Sequence, residues 1–286
     1  MPASRLHTLL VLGRVSNLPT VGSNCLAAWL LAGGTDWLRF SLLLASGTCL
    51  YIGGMFFNDA CDAEFDRGLR QERPIPARLI SRRAVWIWGA VWLVTGTLLA
   101  IPLGIRPLGW TLVLVAAIAA YDIWHKKYTF ALGLVAGCRF LLYVLAGVVA
   151  AGTVSPRSLV AGTGIGFFVL GISLMARHEV GDSRPPRWPL LLLAMPVVTA
   201  WFQAPAGTLK IETGSTILFA VWVAIAVFPM WKFKPQTGLG IGRLLAGLAL
   251  ADWLQVAALS QSCRYGLAFA SFFGITILLQ RRVPAT

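Results

Sequence analysis

Long apolar runs punctuated by short polar clusters fill the chain from end to end. They fall at about 17–33, 40–58, 84–105, 108–124, 130–152, 158–176, 188–204, 214–231, 238–258 and 264–280. Each is bounded by charge, Gly or Pro, and each is rich in Leu, Ala and Gly without period-two alternation. That pattern predicts transmembrane helices rather than barrel strands. A spanning helix needs about 20 residues, so the expected fold class is all-α: a polytopic helical bundle of nine to ten spans. The segment 238–258 is the most polar of the ten, holding Arg243 and Asp252. One domain over 1–286 is expected, built of two similar halves, about 1–152 and 153–286. The halves are suggested by two loops, 59–83 and 177–188, that both mix acids with arginines.

Composition agrees. Of 286 residues, 57% are hydrophobic and 12% charged, with a mean hydropathy of +0.75. Soluble domains carry about 25% charged residues, so a water-facing globule and a soluble nucleic-acid binder are both excluded. The net charge of +13 is a matter of topology. With the N-terminus inside and alternating spans, 18 Lys and Arg fall on the inner side and five on the outer, with Arg139 inside a span. This positive-inside bias predicts that the N-terminus and the acidic loops are cytoplasmic; the expected location is a bacterial-type cytoplasmic membrane. Arg14 interrupts the first apolar stretch, which reads as the lead-in to a helix rather than a removed signal. The five cysteines lack metal or disulfide spacing and read as free thiols.

The scarce acids carry the chemistry. Seven of the 11 lie in the two loops: Asp59, Asp62, Glu64, Asp66 and Glu72, then Glu179 and Asp182. Asp36, Asp122, Glu212 and Asp252 are scattered. Asp59, Asp62 and Asp66 stand at i, i+3 and i+7, so a helix continuing from the second span presents them on one face, joined by Asn58. Three like charges there repel unless a cation sits among them. Oxygen donors of this kind suit Mg²⁺, which often shares its coordination with a substrate phosphate. Arg73, in the stiff run Arg73-Pro74-Ile75-Pro76, is placed to grip phosphate oxygens, and Ser81 can cap the next helix.

Asn-Asp-x-x-Asp-x-x-x-Asp at a helix end, followed by Arg-Pro-Ile-Pro and Ile-Ser, strongly resembles the UbiA superfamily of intramembrane prenyltransferases, 4-hydroxybenzoate polyprenyltransferase-like enzymes among them. The motif occupies 58–81; the topology extends the resemblance over most of the chain. It implies a helical bundle that binds a prenyl diphosphate through Mg²⁺ and transfers the prenyl group to an aromatic or lipid-like acceptor within the membrane lipid, with no nucleic acid involved. Carried over, Asp59, Asp62, Asp66, Glu179 and Asp182 hold the metal, with Arg73 and Lys126 (or Lys127) on the departing diphosphate. Asn58, Arg14, Asn17, Tyr121, Arg139 and His178 are implied as substrate contacts. The second motif is reduced to Glu179 and Asp182, with Met175 where relatives have a further acid, and Arg78 stands where they commonly have Gly. Arg139 lies mid-span, where an arginine costs at least ~2.5 kcal/mol; it either faces the cavity or snorkels. Cys138-Arg139-Phe140 also resembles a subset of this superfamily, a divergent bacterial branch. Two other readings stay open at this level: a transporter or lipid-binding bundle for an anionic solute, and a related enzyme that ionises the diphosphate and cyclises it without an acceptor.

Overall fold

The computed structural model describes residues 5–125, 128–179, 184–205, 209–232, 236–257 and 262–285. Every regular element among them is helical. The α-helices are α1 (Arg5–Leu12), α2 (Leu18–Leu31), α3 (Trp37–Leu69), α4 (Arg82–Ala100), α5 (Ile105–Trp124), α6 (Leu132–Ala151), α7 (Pro156–Ala176), α8 (Leu190–Leu193), α9 (Met195–Gln203), α10 (Leu209–Val227), α11 (Thr237–Ala246), α12 (Leu248–Val256) and α13 (Ser262–Gln280). Seven segments are long and apolar enough to cross a membrane: Trp37–Leu69, Arg82–Leu103, Ile105–Trp124, Leu132–Ala151, Pro156–Ala176, Thr213–Trp231 and Thr237–Val256. Leu190–Gln203 and Tyr265–Gln280 are shorter apolar helices.

Local chemistry sets where these helices start and break. Asp36 accepts from the backbone N–H groups of Leu38 and Arg39 and opens α3. Ser81 caps α4 by accepting from Ala84 N at 3.2 Å, as its position in the sequence suggested. In the apolar run before residue 204, Pro189 precedes α8 and Pro196, which cannot donate to a helix ladder, stands in the first turn of α9, so α8 and α9 form in place of one long helix. The most polar of the ten runs is broken at Gly247, where a Cβ would meet the Trp222 ring at 2.9 Å. The Trp222 indole donates to Arg243 O at that break, at 2.9 Å.

Helix α3, at 33 residues, is about 50 Å long. That exceeds the ~30 Å hydrocarbon core, so the helix is long enough to carry its last turns beyond the apolar layer. Helix α4 lies tightly along it through glycines: a Cβ on Gly96 would stand 2.8 Å from Leu50 Cγ, and one on Gly53 would stand 2.8 Å from Leu93 Cγ. Helix α2 is the central post, buried from Thr20 to Trp29. At the bundle end far from the last turns of α3, Arg39 donates to Val149 O and Leu103 O, and Arg106 to Gly152 O. These bonds tie the start of α3, the turn after α4 and the start of α5 to the end of α6.

Candidate functional site

The end of α3 presents one buried face. Asn58, Asp59, Asp62 and Asp66 are only 4%, 5%, 5% and 2% exposed, so the acids are not a solvated helix tip. Glu64 and Arg67, on the same stretch of helix, face outward. Burying this many carboxylates requires cations or strong donors nearby. Loop 70–81 supplies them by folding back on α3. Its turns are closed by Ala77 N donating to Arg73 O and Leu79 N to Pro74 O. Ile75 seats the loop in a small apolar cluster with Leu12, Phe56, Ala60, Ala63 and Val85. Arg78 adopts the left-handed conformation, φ 59°, which favours glycine.

Anchored in this way, Arg73 reaches Asp59 Oδ1 at 2.7 Å and Asp66 Oδ2 at 3.7 Å. Arg14 donates to Asn58 Oδ1 at 3.2 Å and lies 3.5 Å from Asp59 Oδ1. Burial pulls the Arg73 guanidinium below its ordinary pKa, and neighbouring Arg14 adds to this, against the opposing pull of Asp59 and Asp66. For Arg14, burial is the largest single effect and acts downward. The carboxylate of Asp59, with Tyr51, Tyr121 and Asp62, outweighs it and raises the pKa.

This face forms the polar end of a cavity of about 490 Å³. Asn58, Asp62, Arg14, Arg70, Arg73, Arg177 and Glu179 line that end, and Leu50, Leu114, Ile118, Leu142, Val169, Ile172 and Leu248 line the apolar part. Asp59 and Asp66 sit behind Arg73 and do not reach the wall. From the second loop Glu179 enters, 3.6 Å from Arg70 Nη2. A Cβ on Gly238, at the start of α11, would stand 2.8 Å from Glu179 Oε1, so that glycine makes room for the carboxylate. Tyr121 and Asn17 line the cavity. The Asn17 amide is committed to the end of the chain, donating to Ala285 O at 2.8 Å and accepting from Gln280. His178 does not line the cavity; it stands just past α7. Lys126, Lys127 and Asp182 lie outside the described residues.

Arg139 faces the cavity rather than snorkelling. It donates to Asn24 Oδ1 at 2.7 Å and to Thr20 Oγ1 at 3.0 Å, and its guanidinium stands 5.7 Å from the Tyr51 ring centre. Asn24 in turn donates to both oxygens of Asp252, at 2.8 and 2.7 Å, and Ser23 and Tyr143 donate to the same carboxylate. One intramembrane acid therefore faces one intramembrane cation through an amide, joining α2, α6 and α12. Sequence reasoning treated Asp122 and Asp252 as scattered and passed over His125. Asp122 lines the cavity beside Asn58, and His125 stacks on Tyr121 and lies 3.2 Å from Asp62 Oδ1. The signal that finds both acids is the one applied to Arg139: an ionisable residue within a span is a functional candidate by default.

The acidic face offers only hard oxygen donors. Among the described residues no three acids, histidines or cysteines converge as a ready-made ion cage. Mg²⁺ characteristically takes one or two carboxylates and completes its shell with water and substrate phosphate, so the donor set fits a cation that arrives with a phosphorylated ligand. The four cysteines described, Cys25, Cys49, Cys61 and Cys138, are free thiols as expected.

An all-helical membrane bundle with an acidic, arginine-clamped site at the polar mouth of an apolar cavity defines the class of protein. The chain belongs to the UbiA prenyltransferase family, whose model matches residues 18–273. It is 36% identical over 95 residues to digeranylgeranylglyceryl phosphate synthase of Methanothrix thermoacetophila, covering 32% of this chain and 36% of that protein. It is 26% identical over 147 residues to the synthase of the same name from Sulfolobus acidocaldarius, covering 51% of this chain and 54% of that protein. The matched segments thus span about a third and about half of these relatives. Among solved structures, a UbiA homolog from Archaeoglobus fulgidus bound to GPP and Mg²⁺ superposes with a TM-score of 0.59 at 14% identity, covering 96% of this chain and 99% of that one. The apo UbiA homolog from Aeropyrum pernix K1 gives 0.53 at 16% identity, covering 93% and 98%. At these identities the likeness is one of fold.

Proposed function

We propose that this protein transfers a prenyl group from an isoprenyl diphosphate to an aromatic or other small, lipid-like acceptor within the membrane, releasing pyrophosphate, with Mg²⁺ as cofactor. The observation that carries this reading is the join of a buried aspartate face, clamped by Arg14 and Arg73, to an apolar cavity of about 490 Å³. The substrate has the same division, a charged head and a hydrocarbon tail. Mg²⁺, when bound, neutralises diphosphate oxygens and makes pyrophosphate a better leaving group. Asp62 and Glu179 on the cavity wall, with Asp59, Asp66 and Asp182, would hold it.

The remaining chemistry belongs to the chain. Arg73 and Arg14, now on Asp59, are the donors a diphosphate would engage, and Lys126 is a further cation for the leaving group. Preorganised positive charge of this kind stabilises negative charge developing on the departing oxygen. The allylic C–O bond breaks, its electron pair leaves with pyrophosphate, and the acceptor atom forms the new bond and gives up its proton. Leu50, Leu114, Ile118 and Leu142 exclude water from the reacting carbon. Tyr121 and Arg139 face the same space from α5 and α6 and would contact the acceptor or the tail.

Ten crossings, with both termini and the acidic loops cytoplasmic, complete the reading. Its support is that Asn17 near the N-terminus binds Ala285 near the C-terminus, at the aspartate end of the bundle. The test is a panel of prenyl diphosphates and acceptors offered to purified protein with Mg²⁺, products being read by mass spectrometry. A prenylated acceptor is expected, and hydrolysed or cyclised prenyl alcohol alone would overturn the transfer step.

A further inference from the structure

Asp122, near the end of α5, is 4% exposed and lines the cavity. Its Oδ1 accepts from Asn58 Nδ2 at 3.3 Å, and Oδ2 has no hydrogen-bond partner among the described residues. Its neighbours across the site are each matched with a cationic or titratable group: Asp59 with Arg14 and Arg73, Asp66 with Arg73, Asp62 with His125, and Glu179 with Arg70. Asp122 has an amide alone. A buried carboxylate held by one neutral hydrogen bond is costly as an anion, and a divalent cation at the cavity wall removes that cost.

We propose that Asp122 is a further oxygen donor to the divalent cation of the active site, contributed by α5 and oriented by Asn58. This rests on the Mg²⁺ reading above and extends it. The first loop brings Asp62 to the cavity wall and the second brings Glu179; Asp122 lines the same cavity from a third element. Asn58 then has a distinct task. Its carbonyl oxygen accepts from Arg14 while its NH₂ holds Asp122, so it sets the aim of the free Oδ2 and is a positioning residue.

Mn²⁺ affinity, read by electron paramagnetic resonance on detergent-purified protein with inorganic pyrophosphate present, tests this without turnover. Asp122→Asn is expected to weaken Mn²⁺ binding about 10-fold or more, the scale on which loss of even an outer partner of a metal site is felt. Asp122→Glu, which keeps the carboxylate, is expected to retain part of the affinity. Glu64→Gln, an exposed carboxylate on the same helix as Asp62, is expected to bind like wild type. Monodispersity on size exclusion reports folding, and Asp122→Glu keeps the test valid should Asp122→Asn aggregate. Wild-type affinity in Asp122→Asn alongside a loss in Asp62→Asn would overturn the role of Asp122 and leave the Mg²⁺ reading intact. Wild-type affinity in both would overturn the Mg²⁺ reading itself.

Discussion

Asp59 receives two guanidinium groups, Arg73 at 2.7 Å and Arg14 at 3.5 Å. In the absence of an anion this pairing is what lets the acids be buried. A diphosphate entering the site competes with Asp59 for both arginines, so their geometry sets the affinity for the head group. Lysine in place of Arg73 keeps the charge and loses the planar fork. A charge-assisted hydrogen bond contributes about 1.5–3 kcal/mol, so Arg73→Lys is expected to raise KM for the diphosphate by about 10-fold to 100-fold; an unchanged KM in steady-state kinetics would refute the contact. At this scale the sequence gives an incomplete account. Spacing along one helix exposes Asp59, Asp62 and Asp66, because i, i+3 and i+7 share a face. It does not expose Asp122 or Asp252, whose partners Asn58 and Asn24 lie 64 and 228 positions away and meet them only through packing.

Between elements, two kinds of contact hold the bundle together. One is close packing of α3 against α4. Gly96→Ala sets a methyl 2.8 Å from Leu50 Cγ and 3.0 Å from Ser46 O, and overpacking of this kind costs about 1–3 kcal/mol. Gly109→Ala on α5 meets nothing within 4 Å and is expected to be neutral or slightly stabilising, since alanine is the better helix former. Denaturation in mixed micelles separates the two. The other contact is the Arg139–Asn24–Asp252 chain. Asp252 is fully buried, and Asp252→Ala leaves Asn24, Ser23 and Tyr143 without their acceptor and Arg139 without the charge behind Asn24. The loss is expected to be about 3–5 kcal/mol, the scale for removing one partner of a buried charged pair, and a loss under 1 kcal/mol in the same assay would contradict it. The apolar runs predict these helices well because burial in lipid or protein demands the same residues. The breaks at Pro196 and Gly247 are harder to place, since their effect depends on what packs beside them: the Trp222 indole takes Arg243 O at the second break.

The whole molecule divides its charge by position. Asp62, Arg70, Arg73, Arg177 and Glu179 gather around one cavity at the end where Asn17 meets Ala285, while Arg39 and Arg106 serve as ties at the other. The ten crossings proposed above are checked by a cysteine-accessibility scan in intact cells. Residues 104 and 284 are expected to label on opposite sides, and labelling on the same side would contradict the arrangement. The central claim is chemical, and one measurement tests it most directly: pyrophosphate release from a prenyl diphosphate with an acceptor present, with and without Mg²⁺, by wild type and Asp62→Ala. Release that requires Mg²⁺ and is lost in Asp62→Ala is the predicted result. Release by Asp62→Ala at the wild-type rate, or wild-type release unaffected by chelation of Mg²⁺, would contradict it.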